Sequence, residues 1–196
     1  MTTQNQHSQC SNKSDPPICA TCASKSHTCC YVSSGNEDCC FPISKPEQER
    51  ILKECGPEAT EGAFFAVTHN TPEFLSAMQN LFPNEQKILS VLFPKGQKHF
   101  RLATLNTGFC VFLGKQGCVL SREVRPWFCK LFPFWIQNGE LTAFTASYCL
   151  VAKGAISPSG MLNIMEQKPE VMLDIFNKLR LDWGLVPTTP GVKLGE

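Results

Sequence analysis

Four cysteines crowd one short run: Cys19, Cys22, Cys29 and Cys30 in CATCASKSHTCC. Cys110, Cys118 and Cys129 follow far downstream in FCVFLGKQGCVLSREVRPWFCKLFPF, with Cys149 behind them. Four thiolates make the coordination shell of a structural zinc or of an iron–sulfur cluster. Such a shell is commonly assembled from a closely spaced pair plus ligands that folding brings back, and Cys19-x-x-Cys22 has the close spacing. Thioredoxin-like redox sites share that spacing but sit at a strand-to-helix junction, and no strand is readable before Cys19. Cys129 falls in the first turns of a helix opened by Arg125-Pro126, where terminal amides and Lys130 favour thiolate. Arg125 has two readings of equal weight, a hydrogen-bond donor to cluster sulfurs or a surface salt bridge.

Adjacent cysteines in extended chain point to opposite sides, so both rarely serve one metal. For Cys29-Cys30, either one is a ligand and the other packs as a small apolar residue, or the two serve neighbouring metals. Cys39, Cys40 and Cys55 read as packing residues, and Cys10 as an uninvolved tail residue. His27 is the histidine nearest the cluster; imidazole suits zinc, but a bystander is the commoner reading of such a residue. The expected centre joins Cys19, Cys22, Cys129 and at least one of Cys29 and Cys30. One essential centre with spare thiols nearby is preferred to two.

Twelve cysteines in a chain of 196 residues do not describe a small disulfide scaffold, because fourteen Phe supply a real core. The polar start MTTQNQHSQCSNKSDPP lacks an apolar h-region, and no stretch approaches the roughly 18 apolar residues that span a membrane. The expectation is a cytoplasmic protein with reduced thiols, which favours metal over disulfides. A formal net charge of +1 without a basic run gives no case for nucleic acid. Phosphate-loop, dinucleotide-binding, zincin and serine-nucleophile motifs are absent.

The elements that must position these thiols read as a small mixed α+β domain. It has several short helices, short antiparallel hairpins and an irregular, metal-organised cysteine region. Residues 1–17 read as a disordered tail, 18–150 as the cysteine-cluster domain, 151–184 as C-terminal helices packing on it, and 185–196 as an irregular tail. Within 18–42 little apolar periodicity is visible, which predicts a loop. Ser44 with Glu47 three residues on, Pro46 in the first turn and Gly56 beyond the end bound a helix. Thr71-Pro72 starts another carrying Phe74, Met78 and Phe82, and Pro83 breaks it before a third over 84–93. Residues 99–105 alternate as a strand, and short strands at 109–113 and 118–121 flank the Gly114–Gly117 turn. A brief helix at 126–131 precedes a hairpin over 134–144 turned by Asn138-Gly139. Ser157-Pro158 starts a later helix, and Val171, Ile175, Phe176 and Leu179 mark the last, ending by Gly184.

The order Cys110-Val111-Phe112-Leu113, Cys118-Val119-Leu120, Arg125-Pro126, Cys129 and Phe132-Pro133, after CxxC and CC, resembles the zinc/iron-chelating cysteine-cluster family of bacteria. These are the YkgJ-like or CxxCxxCC proteins. The resemblance covers about residues 18–150 and implies eight metal-site cysteines: Cys19, Cys22, Cys29, Cys30, Cys110, Cys118, Cys129 and Cys149. It departs where six residues separate Cys22 from Cys29, against two in many members. It implies a metal-binding protein, with an iron–sulfur cluster (four-iron form preferred) or zinc, in a structural, electron-transfer or metal-handling role. Two alternatives are an enzyme, redox or methyltransferase-like after the flagellin lysine methylases, and a metal-stabilised interaction module with an unassigned protein partner. Against the methylase stand the missing nucleotide loop and the mere 50 or so residues beyond the cluster. Thermal stabilisation by S-adenosylmethionine separates it from the others.

Overall fold

The computed structural model describes residues 17–25, 28–56, 60–188 and 193–194. Residues 1–16 of the tail expected over 1–17, Cys10 and His27 lie outside them, as does the side chain of Cys39, while Pro17 begins a helix.

Local signals start most of the elements. Helix α1 spans Pro17–Ala23 and a 3-10 turn covers Glu37–Cys39. Helix α2, Lys45–Cys55, opens on a complete capping box: Ser44 Oγ accepts from the Glu47 amide while the Glu47 carboxylate accepts from the Ser44 amide. Gly56 at φ 88° ends it. A one-turn helix α3 (Glu61–Phe64) leads into β1 (Phe65–His69), which pairs antiparallel with β2 (Lys98–Leu102). Between them lie α4 (Pro72–Leu81), capped by Thr71 Oγ1, and α5 (Gln86–Leu92). A minimal hairpin joins β3 (Leu113–Gly114) to β4 (Gly117–Cys118). Then come α6 (Trp127–Leu131) and the hairpin β5 (Phe134–Gln137) and β6 (Glu140–Ala143). Asn138 and Gly139 have φ of 52° and 79°, as the expected type I′ turn demands. Helices α7 (Leu150–Gly154), α8 (Pro158–Ile164) and α9 (Pro169–Asp182) complete the α+β domain, and β7 (Lys193–Leu194) pairs parallel with β6.

Two apolar cores result. The larger joins α4, α5, α6, the β5–β6 hairpin and α7–α9 around Leu131, Phe134, Leu141, Met172, Phe176 and Leu179. Trp135 meets Phe82 and Phe176 edge-on at 5.3 and 5.0 Å, and its indole N–H donates to the Leu81 carbonyl. The smaller core is Ile43, Ile51, Phe65, Phe112 and Leu120, with Cys55, Cys110 and Cys118 packed at its edge.

Four expectations change. The loop expected over 18–42 begins as helix α1, because Ile18 finds the main core and gives the helix an apolar anchor that periodicity alone did not reveal. The strand expected at 109–113 makes isolated bridges at Phe109 and Cys110 and then turns, so the hairpin arms are two residues each. Cys110 thus precedes the hairpin, and only Cys118 lies on an arm. The irregular tail over 185–196 contributes β7, which can pair because β6 leaves an open edge.

Candidate metal centre

The cysteine region is built from backbone pairing. The Cys110 amide donates to the Cys30 carbonyl at 2.7 Å and the Val32 amide to the Gly108 carbonyl at 2.9 Å. Tyr31 faces Phe109 as a bridge, so the antiparallel register sets Cys30 directly opposite Cys110. Side chains of such a pair stand on one face with Cβ atoms about 5 Å apart. On its other side the same strip pairs with 103–105, through Leu105 to Phe109 and Val111 to Ala103. Gly108 is required here. Its φ is +86°, and a Cβ would lie 2.5 Å from the Val32 carbonyl and 2.9 Å from the Tyr31 ring.

Cys29 and Cys30 lie in a turn, with Thr28 Oγ1 accepting from the Cys30 amide. Their sulfurs are 4.0 Å apart. The expectation that the pair points to opposite sides assumed extended chain, and the turn removes that premise. Helix α1 packs against β4 and α7, bringing Cys22 beside Cys29 and Cys149. The Leu150 amide donates to the Cys22 sulfur and the Phe112 amide to Cys110. Cys19, one turn before Cys22, shares its helix face.

Burial and neighbouring thiols favour the protonated form of Cys22, Cys30, Cys110 and Cys129. Burial pushes Cys110 up to about 12, helped by Cys118, Cys29 and Cys40 and opposed by the Phe112 amide. Cys129 is raised well above the usual thiol range by burial, then by Cys110, Cys118 and Cys29. Its side chain nonetheless keeps solvent-accessible area, so the direction reflects the crowding of atoms and thiols around it. For Cys30 a hydrogen bond with Cys29 pulls downward, but burial with Cys110, Cys129 and Cys118 prevails. Cys22 rises through burial, Cys29 and Cys149. A bound cation would relieve this repulsion and release protons.

Seven of the eight expected cysteines, Cys22, Cys29, Cys30, Cys110, Cys118, Cys129 and Cys149, therefore lie within electrostatic range of one or more of the others. All ten cysteines whose side chains are described are free of disulfides. The donor chemistry fits a thiophilic metal. As placed, however, no three His, Cys, Asp or Glu side chains among the described residues converge to metal-binding distance. Cys40 lies near Cys110 without being a designated ligand, and Cys55 packs at the smaller core as expected.

Arg125 is no surface residue. It is buried, and its guanidinium donates to the Leu120 and Cys118 carbonyls, which holds the β4 segment in place. Two supports went unread in the sequence. The second carboxylate oxygen of Glu47 accepts from the Trp127 amide at 2.8 Å, tying the α2 cap to the helix that carries Cys129. Glu54 accepts from the amide and hydroxyl of Ser121, just after β4. Each is a long-range contact of an ordinary helix glutamate, with no local signature. No helix among the described residues is long and apolar enough to cross a membrane. No protein-family model, curated protein or solved structure matches the chain.

Proposed function

We propose that the chain is a metal-binding protein whose cysteine thiolates hold an iron–sulfur cluster, with the four-iron form preferred, or zinc. The observation that carries this reading is the meeting of free cysteines from segments as distant as Cys22 and Cys149. Cysteines scattered for packing have no reason to collect near one another, whereas ligands do. The resemblance to the cysteine-cluster family rests on the same residues and adds to the reading. All-thiolate ligation suits both metals, so donor softness does not choose between them.

A bound cluster would supply one-electron chemistry, and a zinc ion a cross-link between α1, the 28–32 turn, β4 and α6. The protein's part is to aim the sulfurs and support them with amide donors such as Leu150 and Phe112. The cytoplasm, where thiols stay reduced, is the compartment that suits such a site.

The test is anaerobic purification followed by iron, zinc and acid-labile sulfide analysis and an absorption spectrum. A brown protein with stoichiometric iron and sulfide establishes a cluster, and a colourless protein with stoichiometric zinc establishes a zinc site. Serine at both Cys22 and Cys129 should remove bound metal. Metal-free protein from this preparation, or full metal content in that double variant, contradicts the reading.

A further inference from the structure

We infer that Cys29 and Cys30 are a redox-sensitive dithiol that closes reversibly to a disulfide between adjacent residues. The backbone around them is fixed at both ends. The Tyr31 amide donates to the Thr28 carbonyl at 3.1 Å, which makes 28–31 a β-turn with the two cysteines at its central positions. Thr28, 4 % exposed, anchors the entry, and its Oγ1 accepts from the Cys30 amide at 3.0 Å. Tyr31 anchors the exit through its bridge and its ring contact with Phe109. Between these anchors the two sulfurs stand 4.0 Å apart, and Cys29 is exposed, so a dissolved oxidant reaches it.

The cross-strand alternative fits less well. Cys30 also stands opposite Cys110, but the Cβ atoms of such a pair are about 5 Å apart, beyond the roughly 3.5–4.5 Å of a disulfide. The bond between neighbours is of a labile kind. Cα atoms joined by a trans peptide, as Cys29 and Cys30 are, lie about 3.8 Å apart, short of the roughly 4.4–6.8 Å that disulfides prefer. Closing the small ring therefore carries strain, and a strained, exposed disulfide is readily reduced again. This suits a reversible switch better than a structural staple.

The oxidant is a low-molecular-weight disulfide such as glutathione disulfide. The Cys29 thiolate attacks one of its sulfurs, forming a mixed disulfide and releasing one glutathione thiolate. Cys30 then attacks Cys29 Sγ, the mixed bond breaks, and the second glutathione leaves. The pair gives up two electrons and two protons, and the oxidant takes them up as two glutathione thiols. Closure removes two thiolates from the metal site proposed above, so the metal-bound and oxidised forms exclude one another. That consequence rests on the metal-binding reading, while closure itself does not.

The test treats the full-length reduced chain, freed of metal by chelation, with glutathione disulfide, followed by acid quenching, alkylation and digestion with trypsin and chymotrypsin. Peptide 26–31, SHTCCY, then contains these two cysteines and no other. It should resist alkylation, be lighter than its dithiol form by the two hydrogens lost, and regain both thiols with dithiothreitol. In Cys30→Ser the same peptide should instead retain one glutathione on Cys29. Recovery of the unaltered peptide alkylated at both cysteines, or cross-linked to one carrying Cys22, Cys110 or any other cysteine, overturns the inference. Closure in equal yield in guanidinium also overturns it, because the turn would then contribute nothing. Each of these results leaves metal binding standing, since that is read from the metal analysis above.

Discussion

The aromatic core and the cysteine region are ordered by different means. Around α9 and the β5–β6 hairpin, large side chains interlock: Leu131, Phe134, Leu141, Met172 and Leu179 are each 0 % exposed. Apolar burial at about 25 cal/mol per Å² holds that region without help. The region from 28 to 32 and 108 to 118 has a few backbone hydrogen bonds, one edge-on ring pair between Tyr31 and Phe109, and a group of partly exposed thiols. Apart from the packing of Phe112 and its neighbours on the smaller core, its order rests on those contacts, and a metal held as proposed above would add to them.

The largest expected effect comes from breaking the self-sufficient half. Phe176 is 2 % exposed and touches both Phe82 and Trp135. Phe176→Ala should cost about 3–5 kcal/mol in denaturant unfolding, through lost transfer energy and the cavity left behind. A cost under about 1 kcal/mol would show that this core is not the main source of stability.

A smaller, local effect should follow at Gly108. Alanine there must adopt a positive φ and push its Cβ against the Val32 carbonyl, costing about 1–3 kcal/mol. The damage should stay in the cysteine region: faster proteolysis between Thr28 and Cys40 and weaker metal retention, with tryptophan fluorescence of the large core unchanged. Equal protease resistance to the unaltered protein would refute the role given to the 30–32 and 108–110 pairing.

The smallest effect is one of pH and sits at the edge of the aromatic core. His99 stacks on Phe74 at 3.9 Å and its Nδ1 meets the Asn70 side-chain oxygen at 2.7 Å. Burial, then Arg101, lowers its pKa to about 4 against the opposing Asp38. The fold therefore favours the neutral ring. That contribution is complete above the unfolded value near 6.5 and is lost as pH falls towards 4, by on the order of 1–2 kcal/mol after screening. A His99→Asn protein should lack this acid-side slope. Parallel stability curves for the two proteins between pH 7 and 4 would contradict it.

Legibility in the sequence followed the range of the forces. Ser44 with Glu47, Thr71, Ser157 and Asn138-Gly139 act within four residues, and their elements stand where the sequence places them. Strand β1 gave no such signal. Phe65–His69 is a strand because Lys98–Leu102 pairs with it from about thirty residues away. Spacing and resemblance single out the candidate cysteines. They do not reveal the contacts that hold the segments carrying them, such as the Cys30–Cys110 register and the Glu47–Trp127 hydrogen bond, which only the folded chain creates.

Backbone hydrogen exchange, compared between metal-loaded and chelated protein, tests the central claim most directly. The amides of Val32 and Cys110, which bridge the two strips of the cysteine region, should lose protection by at least tenfold on chelation. Those of α9 and β5 should change little. Unchanged protection of Val32 and Cys110 after complete metal removal would contradict the claim that the converged thiols bind a metal that completes this half of the fold.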